Sequence, residues 1–153
     1  MQEQEQYEVI SHPGRYQILK GNMELALVHV YVTDDNFQHV DVQMPNQQYL
    51  KSEFDLGMTI VPGLTRTIYL YNQLVASFTY VHMYLYECKT WLETEYVFEC
   101  DLDTIHVYKK VDHVQVACIE KDKHNNHIHV TFGSDCFDPM KLIIALFPCL
   151  RIN

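Results

Sequence analysis

The sequence predicts an all-β fold with one C-terminal helix: a closed antiparallel β-barrel of about 10–12 strands around a buried hydrophobic helix. Short segments rich in Val, Ile, Tyr and Thr follow one another between turn residues, which is typical of β-sandwiches and barrels. Several segments alternate apolar and polar residues, as in a sheet with one solvated face. The carboxyl-terminal segment contains an apolar run that is too short to span a membrane and too apolar to face water.

The strands are predicted from composition and from the turn residues that separate them, after a frayed segment 1–6. They are Arg15–Leu19, Leu25–Thr33, Phe37–Met44, Tyr49–Phe54, Met58–Val61, Thr65–Tyr71, Leu74–Glu87, Trp91–Cys100, Thr104–Lys109, Val114–Lys121 and His127–Phe132. The long segment Leu74–Glu87 has room for two strands with a bend, and Asn72-Gln73 before it is a candidate two-residue turn. So many strands favour closure, which also removes exposed sheet edges.

Alternation places particular residues on shared strand faces. The predicted inward sets are Ala26, Val28, Val30 and Val32; Val114, Val116 and Cys118; and Ile128, Val130 and Phe132. There is also a weak internal repeat, because Ile68–Tyr71 followed by Val75-Ala76 resembles Ile105–Tyr108 followed by Val116-Ala117.

The helix is predicted over residues 138–150, at the end of a single domain that spans 1–153. Asp138 is a favoured N-cap and Pro139 a favoured first helical residue. The run Met140–Phe147 leaves only Lys141 polar and would be about 15 Å long. We therefore expect the barrel to enclose this helix.

Bulk composition limits the partners. The formal net charge of −9 argues against nucleic acid and against electrostatic docking on anionic lipid. Five cysteines without a CxxC spacing are typical of free thiols in a reducing compartment. The acidic amino terminus does not resemble a signal peptide, and no apolar stretch is long enough for a membrane span, so we expect a cytoplasmic protein without integral membrane association.

The segment Thr104–Asn153, the last third of the chain, resembles the tubby C-terminal-like proteins, including the LURP-one-related branch. The resemblance rests on Ile105-x-Val107-Tyr108, Val116-Ala117-x-Ile119-x-Lys121, Ile128-His129-Val130, the acidic turn at Asp135 and Asp138, and Leu142–Phe147. It implies a barrel of about twelve strands around a hydrophobic helix and little chemistry. Pro148 departs from the pattern, and the cationic residues with which some relatives meet phosphoinositides have no clear counterpart here.

Histidines form the most conspicuous candidate site. His127 and His129 lie two apart on one strand face, and His106 from a neighbouring strand, or else His113, could join them to give a three-nitrogen metal site. The alternative is a solvated strand face beside a turn.

Other reactive groups give weaker patterns. Cys136 has an exposed turn setting, whereas Cys118 is expected to be buried and inert. Glu93 and Glu95 form a carboxylate pair that also fits a solvent-facing strand edge. No glycine-rich phosphate loop occurs in the sequence.

Several tyrosines are clustered in the middle of the sequence, and Tyr69, Tyr71, Tyr84 and Tyr86 are a candidate interaction patch. The sequence favours a non-enzymatic cytoplasmic binding or scaffold module that needs no cofactor and contacts a protein or a small apolar ligand. One alternative is a lipocalin-like carrier whose helix packs outside a hollow barrel. Another is a metal-dependent hydrolytic enzyme that uses the histidine face. The oligomeric state stays open.

Overall fold

The computed structural model describes residues 4–92, 94–136 and 138–151 and shows a closed barrel of twelve antiparallel strands with one helix. The strands are β1 Glu5–His12, β2 Arg15–Lys20, β3 Met23–Val32, β4 Phe37–Gln43, β5 Tyr49–Asp55, β6 Thr65–Leu70, β7 Gln73–His82, β8 Leu85–Thr90, β9 Glu95–Cys100, β10 Thr104–Lys109, β11 Gln115–Lys121 and β12 His127–Phe132. A 3₁₀ turn, Pro45–Gln47, joins β4 to β5, and the helix α1 spans Asp138–Leu150. Each strand pairs with its neighbours in the chain, and β1 closes the barrel against β12.

The helix α1 lies inside the barrel. Ile144, Ala145, Leu146 and Phe147 are fully buried. The Phe147 ring packs against Phe78 of β7, Tyr86 of β8 and Phe98 of β9, with centroids 5.3, 5.1 and 4.6 Å away. On the other wall, Lys141 bonds Glu5 of β1 and lies 6.0 Å from the centre of the Phe132 ring of β12. Contacts with opposite walls show that α1 is the filling of the barrel.

Charged side chains hold both ends of α1. Near its start, Lys141 Nζ donates to Glu5 and to Asp138 Oδ1, the latter at 2.8 Å. At its end, the buried guanidinium of Arg66 lies 3.5 Å from the carbonyl oxygen of Leu150. This contact supplies a donor to a carbonyl of the last turn, which has no partner within the helix. Pro148 lies inside this last turn without ending the helix.

Some predicted element boundaries are wrong. Met58–Val61 is not a strand but part of the loop 56–64, where two turns flank it. By contrast, the expectation that Leu74–Glu87 holds two strands is confirmed, since it is divided between β7 and β8. Trp91 lies in a turn, and β9 begins only at Glu95. Glu5 and Gln6, expected to be frayed, begin β1, a strand that was not predicted because many of its residues are polar. Residues 1–3 lie outside the described part of the chain.

A β-bulge explains the error on β11. The register with β10 shifts after Val107, so that Val116 and Ala117 are both buried and Cys118 points outward, opposite His106. The predicted shared face of Val114, Val116 and Cys118 is therefore wrong, because an extra residue in one strand reverses the alternation beyond it. On β12, Val130 and Phe132 are buried and Ile128 is half-buried, as predicted. On β3, Ala26 and Val28 are buried, but Val32 is 55% exposed at the strand's end.

The same bulge occurs in three hairpins, which gives the barrel an internal threefold repeat. It follows an Ile or Val that lies opposite an Ala, in the pairs Ile18–Ala26, Ile68–Ala76 and Val107–Ala117. The pair formed by the last two strands of each unit also has an equivalent register, in the pairs Val42–Leu50, Cys88–Tyr96 and Val130–Tyr7. Three four-stranded units, β2–β5, β6–β9 and β10–β12 with β1, thus form the barrel. The weak repeat seen in the sequence is two of these three units.

Candidate ligand-binding pocket

A pocket of about 650 Å³ opens at the end of the barrel where α1 begins. It lies between the first turns of α1 and the adjoining ends of β5 to β8. Its lining is mostly apolar: Met44, Leu50, Leu70, Leu74, Val75, Trp91, Pro139, Leu142 and Ile143, with Gln48, Gln73 and Asp138 as the polar members.

One face of α1 creates the inner wall of the pocket. Pro139, Leu142 and Ile143 follow the i, i+3, i+4 spacing and so lie on one side of the helix. Lys141 lies on roughly the opposite side, where it bonds Glu5. Leu142 is only half-buried, although the residues around it are core. The apolar helix is therefore not enclosed on every side, and its remaining surface faces this pocket.

The outer lip of the pocket comes from two connections without charged residues, 43–50 and 70–76. In the first, Asn46 and Gln47 have positive φ values of 67° and 60°. In the second, the turn residues are Tyr71 and Asn72 rather than the predicted Asn72-Gln73, and Tyr71 has a φ of 55°. Such values are uncommon for a tyrosine. The lip leaves Leu74 52% and Trp91 43% exposed, so apolar surface is open to solvent.

Asp138 is the charged residue that determines the electrostatics of the pocket lining. Its hydrogen bond from the Lys141 ammonium lowers the pKa of the Asp138 carboxyl group. Burial disfavours the charge on Lys141, but the bonds with Asp138 and Glu5 outweigh burial and raise the Lys141 pKa. Both groups are therefore charged at neutral pH. The other described residues that line the pocket carry no charge.

The predicted metal site at His106, His127 and His129 is not assembled. His106 Nδ1 lies 3.0 Å from Gln115 Nε2, His127 bonds Glu8, and His129 Nε2 lies 3.9 Å from Asp122 Oδ2. In the described part of the chain, no group of three His, Cys, Asp or Glu side chains could hold a metal ion. Cys118 of β11 pairs with both His106 and Thr131, whereas His129 pairs with Glu120, so the histidines occupy different rows of the sheet.

The cysteine predictions are reversed. Cys136 is buried, and burial raises the pKa of its thiol to about 11. Cys118 is half-exposed, and burial together with Glu120 raises its pKa to about 11. Burial also raises the pKa of Cys88, Cys100 and Cys149. All five thiols are therefore protonated at neutral pH. Of the carboxylate pair, Glu93 lies outside the described residues, and Glu95 is exposed with Lys110 Nζ 3.7 Å from its carboxylate.

The predicted tyrosine patch is also not formed as a unit. Tyr86 is buried against Phe147, so it cannot contribute to an exposed surface. Tyr84 is exposed in the β7–β8 turn, at the opposite end of the barrel from Tyr71. Tyr69 and Tyr71 do share one outer face, together with Tyr49 of β5.

The pocket residues were not predicted, because each looks like an ordinary core or turn residue in the sequence. Uncharged connections do not mark the site either, because 56–64 and 83–84 also lack charged residues and lie away from the pocket. Within residues 4–92, 94–136 and 138–151, no helix is both long and apolar enough to cross a membrane.

No protein-family profile, curated protein or solved structure matches the chain. The likeness to tubby-like proteins therefore stays a prediction.

Proposed function

We propose that the protein is a non-enzymatic binding module that takes a small apolar molecule into the pocket beside the start of α1. The observation that carries the proposal is an apolar cavity of about 650 Å³ that is open at the barrel end. Ligand pockets are typically about 300–1,000 Å³, mainly apolar, with a few polar groups that orient the ligand. Gln48, Gln73 and Asp138 supply such groups here.

The pocket differs from the interior cavity of a lipocalin-like carrier. The lipocalin-like alternative places the helix outside a hollow barrel. That placement of the helix is wrong, because Ile144, Ala145 and Leu146 of α1 are fully buried inside the barrel. A ligand would instead lie beside Leu142 and Trp91 at the mouth. Its binding would remove apolar surface from water, and each Å² of apolar surface buried would contribute roughly 25 cal/mol to the binding free energy.

Binding is favoured over catalysis by the chemistry of the lining. Among the described residues that line the pocket, Asp138 is the single titratable group, and Lys141 already neutralises it. A general acid or base needs a pKa near the working pH, whereas the pKa of Asp138 is lowered. The expected partner is therefore held by apolar contact and oriented by amides.

Trp91 provides a direct assay because it is the chain's one tryptophan and lines the pocket. The probe is N-phenyl-1-naphthylamine, a neutral apolar fluorophore that accepts excitation energy from tryptophan. We expect saturable transfer from Trp91 with one probe per chain. Leu74→Ser should weaken binding by about tenfold, since it removes exposed apolar lining at little cost to the fold.

Leu102→Ser is the matched control, because Leu102 is 94% exposed at the opposite end of the barrel. It should leave the titration unchanged. Linear, unsaturable transfer would contradict the proposal, as would equal effects of the two substitutions.

A further inference from the structure

A second depression, of about 440 Å³, lies on the outer face of β3 to β6. Strand register places His29, Asp41, Lys51 and Tyr69 in one row across these four strands. The next row toward the pocket end contains Gln43 opposite Tyr49. The side chains that line the groove are His29, Asp41, Gln43, Tyr49, Lys51 and Tyr71.

Two tyrosines border this groove. Tyr49 is 40% and Tyr71 65% exposed. An aromatic ring offers a flat apolar surface together with a polar hydroxyl. Tyr71 has the left-handed backbone that a two-residue hairpin turn favours, as Gly21 has in the β2–β3 turn, and the turn places its ring beside the groove.

The polar side chains of the groove have free hydrogen-bonding capacity. Within the described residues, His29, Gln43 and Lys51 make no side-chain hydrogen bond or ion pair, and Asp41 accepts one bond from Tyr31 Oη at 2.9 Å. The set therefore offers a carboxylate acceptor, an ammonium donor, and an amide and an imidazole that can do both.

The formal charge of the groove is zero, although the chain carries −9. Asp41 and Lys51 lie directly opposite each other in the register, and their charges cancel. With one carboxylate and one ammonium group side by side, the groove has no net attraction for a ligand of either sign, and this favours a neutral ligand.

We propose that this groove binds a neutral polyhydroxylated ligand, namely one or two sugar rings of an oligosaccharide. Pairs of neighbouring hydroxyl groups match the carboxylate of Asp41, the amide of Gln43 and the ammonium of Lys51. The less polar face of a sugar ring would lie against Tyr49 or Tyr71. The proposal is independent of the apolar pocket, which lies on the other side of the β5–β6 wall.

Saturation-transfer NMR with the intact protein tests the proposal. The probes are neutral mono- to trisaccharides with gluco, galacto, manno and N-acetylhexosamine configurations, and sialyllactose is the anionic comparator. At millimolar concentration, at least one neutral sugar should bind. Tyr71→Asn should weaken it by about tenfold, since asparagine keeps the left-handed backbone accessible while removing the ring.

Tyr84→Asn is the control, because Tyr84 is similarly exposed but lies at the other end of the barrel. It should leave sugar binding intact, and Leu74→Ser should do so as well. Tyr49→Thr is a second variant, which removes the other ring of the groove while it retains strand propensity, and it should also weaken sugar binding. Three results would overturn the proposal: no binding by any neutral sugar, equal loss in the two asparagine variants, or tighter binding of sialyllactose.

Discussion

Phe147→Ala is the most direct test of the architecture, because this side chain is where α1 meets the barrel wall. Phe147 is fully buried and its ring contacts Phe78, Tyr86 and Phe98. Removing a core phenylalanine costs about 3–5 kcal/mol, as transfer free energy is lost and a cavity is left. Each aromatic pair adds about 0.5–1.5 kcal/mol beyond area burial, so three pairs favour the upper end of that range.

We therefore expect Phe147→Ala to lower the free energy of unfolding by about 4–5 kcal/mol. With a urea m-value of about 2 kcal/mol/M, the unfolding midpoint should fall by roughly 2 M. Equilibrium urea unfolding followed by circular dichroism measures both quantities. This loss is a large fraction of the roughly 5–15 kcal/mol by which a domain is stable.

The matched control is Tyr84→Ala, which removes an aromatic ring that is 57% exposed. Its cost should stay within about 0.5 kcal/mol. A cost below about 1 kcal/mol for Phe147→Ala, at an unchanged m-value, would refute the enclosure of α1.

Two further predictions concern titration and thiol reactivity. Lys141 and Lys20 lower the pKa of Glu5 below its ordinary value of 4.5, so Glu5 binds a proton more readily in the unfolded chain and stability should fall as pH falls below about 4.5. Glu5→Gln should flatten this part of a profile of melting temperature against pH; an unchanged profile would contradict the role given to the Glu5–Lys141 bond. For the thiols, Cys118 is half-exposed and the other four are buried, so native protein should react with iodoacetamide first at Cys118, slowly because its pKa is about 11. Mass spectrometry should show this adduct missing in Cys118→Ser, and early labelling of Cys136 would count against its burial.

The sequence predicted the barrel because its signals are local. Turn residues separate the strands, and Asp138-Pro139 marks the start of a helix too apolar for any surface. Prediction from the sequence failed where the pairing of two strands decides which way a side chain points. The bulge after Val107 depends on the partner strand, so the outward position of Cys118 was not visible in the alternation of β11 alone.

The candidate sites were harder to predict because they combine distant residues. His127 and His129 share a strand face, as expected, yet a metal site also requires His106 to lie in a matching row, and strand register prevents this. Conversely, Leu74, Trp91 and Leu142 come from three separate parts of the chain and each resembles ordinary core. Only closure of the barrel brings them together.

The location of the apolar pocket follows from placing one helix inside a repeating barrel. Three equivalent four-stranded units surround α1, but a helix has no threefold symmetry and cannot pack equally against all of them. The Lys141–Glu5 bond holds the start of α1 against β1 and β12, on one side of the barrel. The opposite helix face, with Pro139 and Leu142, then looks toward β5 to β8, where the uncharged lip leaves room. The same asymmetry that fixes the helix therefore produces the cavity, so the pocket belongs to the construction of the fold and does not depend on a special insertion.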